Sequence, residues 1–172
     1  EIFMDRLQNF IKTKISHKLK LPISLLDADI AFLIQCKRLL WLDPFEHLKI
    51  PKEAINDYQM EKSMEFMRKM DKEKFCDNIL SMFSKAIDVI VKMYKFTLAN
   101  EGATLDDFLP IICYIIIQVK PKKMNQNMGY NLTNMHAFIA YINGIDHIKV
   151  GMENQEKEFN ERCDKSLMED KE

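Results

Sequence analysis

Glycine is scarce in this sequence: only four of the 172 residues are glycine, and all four lie between segments of periodic hydrophobicity. Turns and helix ends favour glycine, whereas helix interiors disfavour it. The chain also lacks the GxxxxGK[ST], GxGxxG, HExxH and GxSxG motifs, which bind phosphates or dinucleotides or supply catalytic groups. These absences favour a helical protein with a binding or regulatory role, and they disfavour an enzyme that makes or breaks covalent bonds.

Paired cysteines, excess charge and long apolar runs are absent as well. The four cysteines stand far apart, so there is no CxxC motif, and we expect no metal ion or cofactor. A net charge of −1 argues against a nucleic-acid partner. The longest apolar stretch, Ile111 to Val119, is too short to span a bilayer, and no apolar run of the signal-peptide type opens the chain. We therefore expect a cytoplasmic domain that does not itself insert into a membrane.

Hydrophobic residues recur at helical spacing along most of the chain, which predicts an all-α fold. We expect helices near residues 3–19, 27–41, 55–70, 71–100, 104–120 and 131–143, followed by an exposed helix or tail over 153–172. The pattern over 55–70 is weaker and suggests a break in the middle. The second helix is expected to carry an apolar stripe of Ile30, Leu33, Ile34 and Trp41. The segment from Pro110 to Val119 is apolar nearly all round, which is typical of a central helix covered on several sides.

The start of that central helix, Thr104-Leu105-Asp106-Asp107-Phe108-Leu109-Pro110, carries two adjacent acids and then a proline. Thr104 and Asp107 fit a capping box, and acids near a helix N-terminus oppose the helix dipole. Pro110 has no N–H to donate to the carbonyl of Asp106, so the first turn is loosened and can point an acidic side chain outward. Spacing alone favours the capping role and leaves a binding role open.

Three stretches of the chain resemble one family. The stretch DDFLPIICYIIIQVKP closely resembles the signature helix of the vacuolar protein sorting nine (Vps-nine) domain, which reads roughly Asp-Asp-Leu-Leu-Pro, an apolar run with Tyr, then Lys-Ala-Asn-Pro. GYNLTNMHAFIAYINGID is similar to the second signature of the family, a Tyr followed after two residues by Thr-Asn and an amphipathic helix. IQCKRLLWLDPFEHLKIP resembles the helical bundle that precedes the family's core. Together the resemblance covers roughly residues 10–146.

The resemblance implies an all-α fold with a layered Vps-nine core and an N-terminal helical bundle packed against it. Residues 1–70 would form the bundle, 71–150 the core, and 151–172 a C-terminal helix or tail. It also implies guanine-nucleotide exchange on a small GTPase of the Rab five type, in its GDP-bound and nucleotide-free states. Such exchange involves no covalent chemistry, and it would serve vesicle trafficking from the cytoplasmic side of early endosomes.

The family's motifs also imply roles for individual residues. Its first acid maps onto Asp106, whose carboxylate would reach the nucleotide site of the GTPase, and its tyrosine maps onto Tyr130. The proline and threonine of the docking surface map onto Pro110 and Thr133. By position, four more residues are candidates for the groove that receives the GTPase switch regions: Asp107, Tyr114, Asn134 and Ala137.

The connector between the two signatures departs from the family pattern. Only residues 122–129 separate Pro121 from Tyr130, whereas the family has more than two dozen residues there, including a further helix. Either this chain has lost the middle of the connector, or the sequence skips residues between Asn125 and Gly129. The matching flanks favour the second explanation, which predicts a Cα–Cα gap longer than the ~3.8 Å of a trans peptide.

A helical scaffold or adaptor domain without exchange activity is the alternative function. It would use the same apolar helices. It would not require Asp106, Pro110, Tyr130 and Thr133 to converge on one exposed surface.

Overall fold

A computed structural model describes residues 27–98, 102–122, 124 and 133–169 of the chain. These residues contain six α-helices and no β-strand, which confirms the predicted all-α fold. The helices are α1 (Asp27–Arg38), α2 (Asp57–Met70), α3 (Cys76–Thr97), α4 (Leu105–Val119), α5 (Thr133–Asn143) and α6 (Glu156–Glu169). A single 3-10 turn at Lys52–Ala54 precedes α2 in this part of the chain. The helix expected near residues 3–19 lies outside the described residues.

Helix α4 lies at the centre of the fold, as its apolar sequence predicts. It packs against α1, α2, α3 and α5, and residues on several of its faces are buried, including Ile111, Ile112 and Ile115. The helix ends at Lys120, whose left-handed backbone (φ 54°) forms the C-cap, and Pro121 follows. Although α4 is so apolar, neither it nor any other helix among the described residues has the length and hydropathy needed to cross a membrane.

Helices α2 and α3 form an antiparallel pair. Near one end the backbone N–H of Asn56 lies 3.4 Å from the sulfur of Met93, and further along the hydroxyl of Ser63 donates to the carbonyl of Ala86 at 2.9 Å. Helix α2 is continuous, so the predicted break in its middle is wrong. The polar residues that interrupt the apolar pattern include Ser63, which is buried and satisfied by the neighbouring helix.

Helix α6 covers α1 with one of its faces. Phe159, Cys163 and Ser166 of α6 are buried, and the Ser166 hydroxyl donates to the carbonyl of Lys37 at 2.7 Å. The Phe159 ring meets the Trp41 ring edge-on, with 5.7 Å between centroids. The end of the chain, expected as an exposed helix or a tail, is therefore a helix with a packed face over Glu156–Glu169.

The buried face of α1 differs from the predicted one. Phe32 and Cys36 are buried, whereas Ile30 and Ile34 remain 45% and 46% exposed, and Trp41 lies beyond the end of the helix. Periodicity finds an apolar stripe but does not decide which neighbouring stripe the rest of the fold covers. Here the packing of α4, α5 and α6 against α1 selects the Phe32–Cys36 side.

Candidate functional site

The predicted capping box at the start of α4 is present. Thr104 is the N-cap, and the Asp107 carboxylate accepts its backbone N–H at 2.6 Å and its hydroxyl at 2.9 Å. The backbone N–H of Asp107 in turn donates to the Thr104 carbonyl at 3.2 Å. The two bonds from Thr104 hold the pKa of the Asp107 carboxyl below its usual value, because they favour the charged form; the bond from the backbone N–H has the larger effect. Asp107 is thus committed to its own helix.

The adjacent acid, Asp106, is in a different situation. Its side chain is exposed, and no hydrogen bond or ion pair joins its carboxylate to any residue in the described part of the chain. Pro110 lies inside the helix, so the carbonyl of Asp106 has no N–H donor one turn ahead. Two neighbouring carboxylates are therefore in separate environments: Asp107 caps the helix, and Asp106 has no bonding partner among the described residues.

The surface of α4 that is not fully buried continues from this turn. Asp107, Pro110 and Tyr114 follow one another at helical spacing, and Pro110 and Tyr114 are half-buried. Burial first, and then the negative charge of Asp43, raises the pKa of the Tyr114 hydroxyl, so Tyr114 stays neutral at physiological pH. The accessible stripe of α4 thus begins with acids and ends with an aromatic ring.

Tyr114 borders a pocket of about 300 Å³. One wall is the turn after Asp43, whose carboxylate accepts the backbone N–H groups of Phe45 and Glu46 at 2.8 Å each. The opposite wall belongs to α2. The pocket is lined by Pro44, Phe45, Ile55, Asp57, Met60, Glu61, Met64 and Tyr114. Apart from Tyr114, none of these was a predicted site residue, because the walls come from segments far apart in sequence.

The second signature begins where it was expected, since α5 starts at Thr133. The sulfur of Cys113 in α4 lies 4.0 Å from the carbonyl oxygen of Phe138 in α5, which places the two signature helices side by side. Ala137, the residue before Phe138, is half-buried. Tyr130 lies outside the described residues, as do the side chains of the predicted site residues Thr133 and Asn134. Their convergence with Asp106 stays a prediction.

The arrangement of potential metal ligands can be examined over the described residues. Among them, no group of three or more His, Cys, Asp or Glu side chains is arranged to hold a metal ion. The buried thiols of Cys36 and Cys113 have pKa values raised, in each case chiefly by burial, which keeps them protonated. The chemistry that the α4 surface offers is therefore a free carboxylate beside apolar and aromatic groups.

Most of the chain aligns with curated proteins from three mammals. Proteins named Rab5 GDP/GTP exchange factor from Homo sapiens and Bos taurus are each 26% identical to the chain over 168 residues, and the one from Mus musculus is 25% identical. Each alignment covers 85% of this chain and 34% of the relative. The chain thus spans about a third of the length of these relatives.

The alignments are longer than the part of this chain that they contain. They span 168 positions, whereas 85% of 172 residues is about 146, so about 22 positions of the relatives have no counterpart here. A difference of that size is what a shortened connector between the two signatures would produce. The residues from Asn125 to Gly129 lie outside the described part, and both explanations of the short connector stay predictions.

The family comparison covers the helices that build the site. The family described as the Vacuolar sorting protein 9 (VPS9) domain matches residues 60–147, slightly more than half of the chain. The match takes in most of α2 and all of α3, α4 and α5, and it includes both signature stretches. The predicted family is therefore confirmed: the chain belongs to the vacuolar sorting protein 9 (VPS9) domain family.

Proposed function

We propose that this domain accelerates GDP release from a small GTPase of the Rab5 type, the activity named in its human, bovine and mouse relatives. The observation that carries the proposal is the exposed carboxylate of Asp106, which pairs with no described residue, beside the capping Asp107 in a VPS9 domain. The domain would act on the partner's conformation and would form no covalent bond with it.

The proposed mechanism is electrostatic. A GTPase holds its nucleotide with the backbone amides and lysine of its P-loop and with Mg²⁺. The Asp106 carboxylate, brought to this site, would pair with the P-loop lysine, repel the phosphates and disfavour the metal ion. The nucleotide would then lose its neutralising partners, and the domain would stabilise the empty state because it binds that state more tightly than the GDP-bound one.

The docking surface would extend from Asp106 along the accessible stripe of α4. Pro110 and Tyr114 would contact the switch regions, and the pocket next to Tyr114 would accept an apolar side chain of the GTPase. Asp107 would position the turn through its cap. The remaining members of this surface would be Tyr130, which acts with Asp106, together with Thr133, Asn134 and Ala137 on the second signature.

The rest of the chain would support this surface. We assign residues 1–70 to a helical bundle, 71–150 to the exchange core and 151–172 to a C-terminal helical segment. The domain would work on the cytoplasmic side of early endosomes, where it would meet a membrane-attached GTPase without entering the bilayer.

Release of fluorescent GDP, measured across a panel of Rab GTPases that includes Rab5, tests this function. Wild type should accelerate release from at least one Rab5-type GTPase, and Asp106→Asn should lose about a hundredfold or more of that acceleration, because it removes a charge that would be buried against a lysine. Asp107→Ala should retain most of the activity. Asp164→Ala, in an exposed part of α6, is the matched control and should act like wild type.

Two results would contradict the proposal in different ways. Full activity of Asp106→Asn on a responsive GTPase would remove Asp106 from its proposed role. Failure of wild type to accelerate release from any member of the panel would leave the scaffold function as the explanation of this fold.

A further inference from the structure

A groove lies between α2 and α3, apart from the accessible stripe of α4. Its volume is about 640 Å³, and residues from Asn56 to Phe66 and from Lys85 to Thr97 line it. None of Asp106, Pro110 and Tyr114 contributes to it. A volume of this size, on the scale of a ligand site, accommodates several side chains of a bound molecule.

The shape of the groove follows from the antiparallel packing of its two walls. Between the walls, the buried hydroxyl of Ser63 on α2 bonds to the carbonyl of Ala86 on α3, and both side chains there are small. On the outer side, larger residues stand on each helix at helical spacing. They are Gln59, Lys62 and Phe66 on α2, and Lys85, Val89, Lys92 and Phe96 on α3. The result is a floor of small side chains between two raised walls.

The walls carry an excess of positive charge. Lys62, Lys85 and Lys92 line the groove, and among the described residues that line it Asp88 is the only acid. Within the described part of the chain, none of these three lysines forms an ion pair, whereas Lys69 on the same helix pairs with Glu65 at 2.7 Å. Three ammonium groups around one concave surface, with no ion-pair partner among the described residues, favour an acidic occupant.

The groove also offers apolar contacts. Phe96 is 88% exposed, which is unusual for so large an apolar side chain, and the half-buried ring of Phe66 lies on the other wall, further along the groove. Val89 and Met93 complete the apolar surface. Aromatic groups in such positions are typical anchors for the apolar face of a bound helix.

We propose that this groove binds an acidic amphipathic helix of a partner protein. The eleven residues from Asn56 to Phe66 span about 15 Å at ~1.5 Å per residue, so the bound segment would make about three turns. Its apolar side chains contact Phe66 and Phe96, and its carboxylates face Lys62, Lys85 and Lys92. This interaction is independent of nucleotide exchange, because the two surfaces share no residue.

A designed peptide tests the groove directly. The probe is a helical peptide of about 14 residues with leucines on one face and glutamates beside them, and the control peptide has lysines in place of the glutamates. Fluorescence anisotropy with the whole domain should show micromolar binding of the acidic peptide and at least tenfold weaker binding of the basic one. Phe96→Ala should weaken binding about tenfold, and since Phe96 is exposed its removal should leave the melting temperature unchanged.

Charge reversal supplies the matched comparison. Lys85→Glu combined with Lys92→Glu should weaken binding of the acidic peptide about tenfold or more, and should improve binding of the basic one. Lys157→Glu combined with Lys165→Glu, on the exposed face of α6, changes the net charge equally and should have little effect.

Three outcomes would overturn the proposal. The first is equal binding of the acidic and basic peptides, and the second is unchanged binding of the acidic peptide by the Lys85 and Lys92 variant. The third is that the domain binds vesicles containing phosphatidylserine instead of the peptide, and that the same charge reversal abolishes vesicle binding. The last outcome would assign the surface to a lipid headgroup. Nucleotide release measured on the same variants separates this test from the proposed function, since all of them should keep wild-type exchange.

Discussion

Replacement of Ser63 by alanine should loosen the α2–α3 pair by a predictable amount. The substitution removes the 2.9 Å hydrogen bond between a buried hydroxyl and the Ala86 carbonyl. That carbonyl still accepts the helical N–H four residues ahead, so it is not left without a donor, and the loss is that of one ordinary hydrogen bond, about 0.5–1.5 kcal/mol. Alanine forms helices better than serine by up to about 0.5 kcal/mol, which offsets part of the loss.

Ser81→Ala separates the two effects, because Ser81 lies on the exposed face of α3 and gains only the helix propensity. Urea unfolding followed by circular dichroism should therefore show Ser63→Ala less stable than Ser81→Ala by about 0.5–1.5 kcal/mol, with equal m-values. In thermal melts this difference is about 1–6 °C for a chain of this size. Ser63→Val should cost more, about 2–4 kcal/mol, because two methyl groups enter a closely packed site as the bond is lost.

The ranking of these variants decides whether the interpretation holds. If Ser63→Ala and Ser81→Ala unfold at the same urea concentration, the hydroxyl does not stabilise the pair. If Ser63→Val is as stable as Ser63→Ala, the two helices are not in close contact at this point, and the small side chains of Ser63 and Ala86 do not form the floor of the groove.

Three further predictions concern the cap, a turn and the thiols. Asp107→Ala should lower the melting temperature, because the bonds from Thr104 that lower the Asp107 carboxyl pKa stabilise the fold at pH values above the unfolded pKa of about 3.9. This stability is lost as the pH falls through the folded pKa, so the melting temperatures of variant and wild type should converge in acid. A difference that stays constant with pH would contradict the cap. Gly151→Ala should cost about 1 kcal/mol in urea unfolding, because Gly151 has a φ of +79°, and an unchanged midpoint would show that the turn relaxes. Burial raises the pKa of Cys36 to about 12 and also raises that of Cys113, so iodoacetamide should modify both thiols only as the protein unfolds. Rapid labelling of the native protein, detected by mass spectrometry, would contradict their burial.

The central helix could be predicted from sequence to within a residue because its boundaries are set locally. Thr104 and Asp107 define its start, and Pro121 prevents its continuation. Helix α2 could not be predicted as well, because its polar middle residue Ser63 is buried by a contact with α3, and contacts between helices leave no trace in local periodicity. The same reason explains the exposure of Ile30 and Ile34.

The two acids of the candidate site could be predicted from the sequence, but the pocket next to them could not. The sequence distinguishes Asp107, at the capping-box position, from Asp106, and the structure gives the two acids those separate positions. The pocket beside Tyr114 was missed, because Phe45 and Met60 reach it from segments far away in sequence. Proximity of this kind depends on the tertiary arrangement alone.

Pro110 also divides α4 into two parts of unequal local stability. Ahead of it, the turn that carries Asp106 is held by the Thr104–Asp107 cap, and the helical hydrogen bond that Pro110 would have made is absent. Behind it, Ile111 to Ile117 are held in the core and should exchange their amide protons only when the whole domain unfolds. Small displacements of the first turn therefore require little free energy and do not disturb the core. A shift of Asp106 therefore leaves the rest of its helix in place.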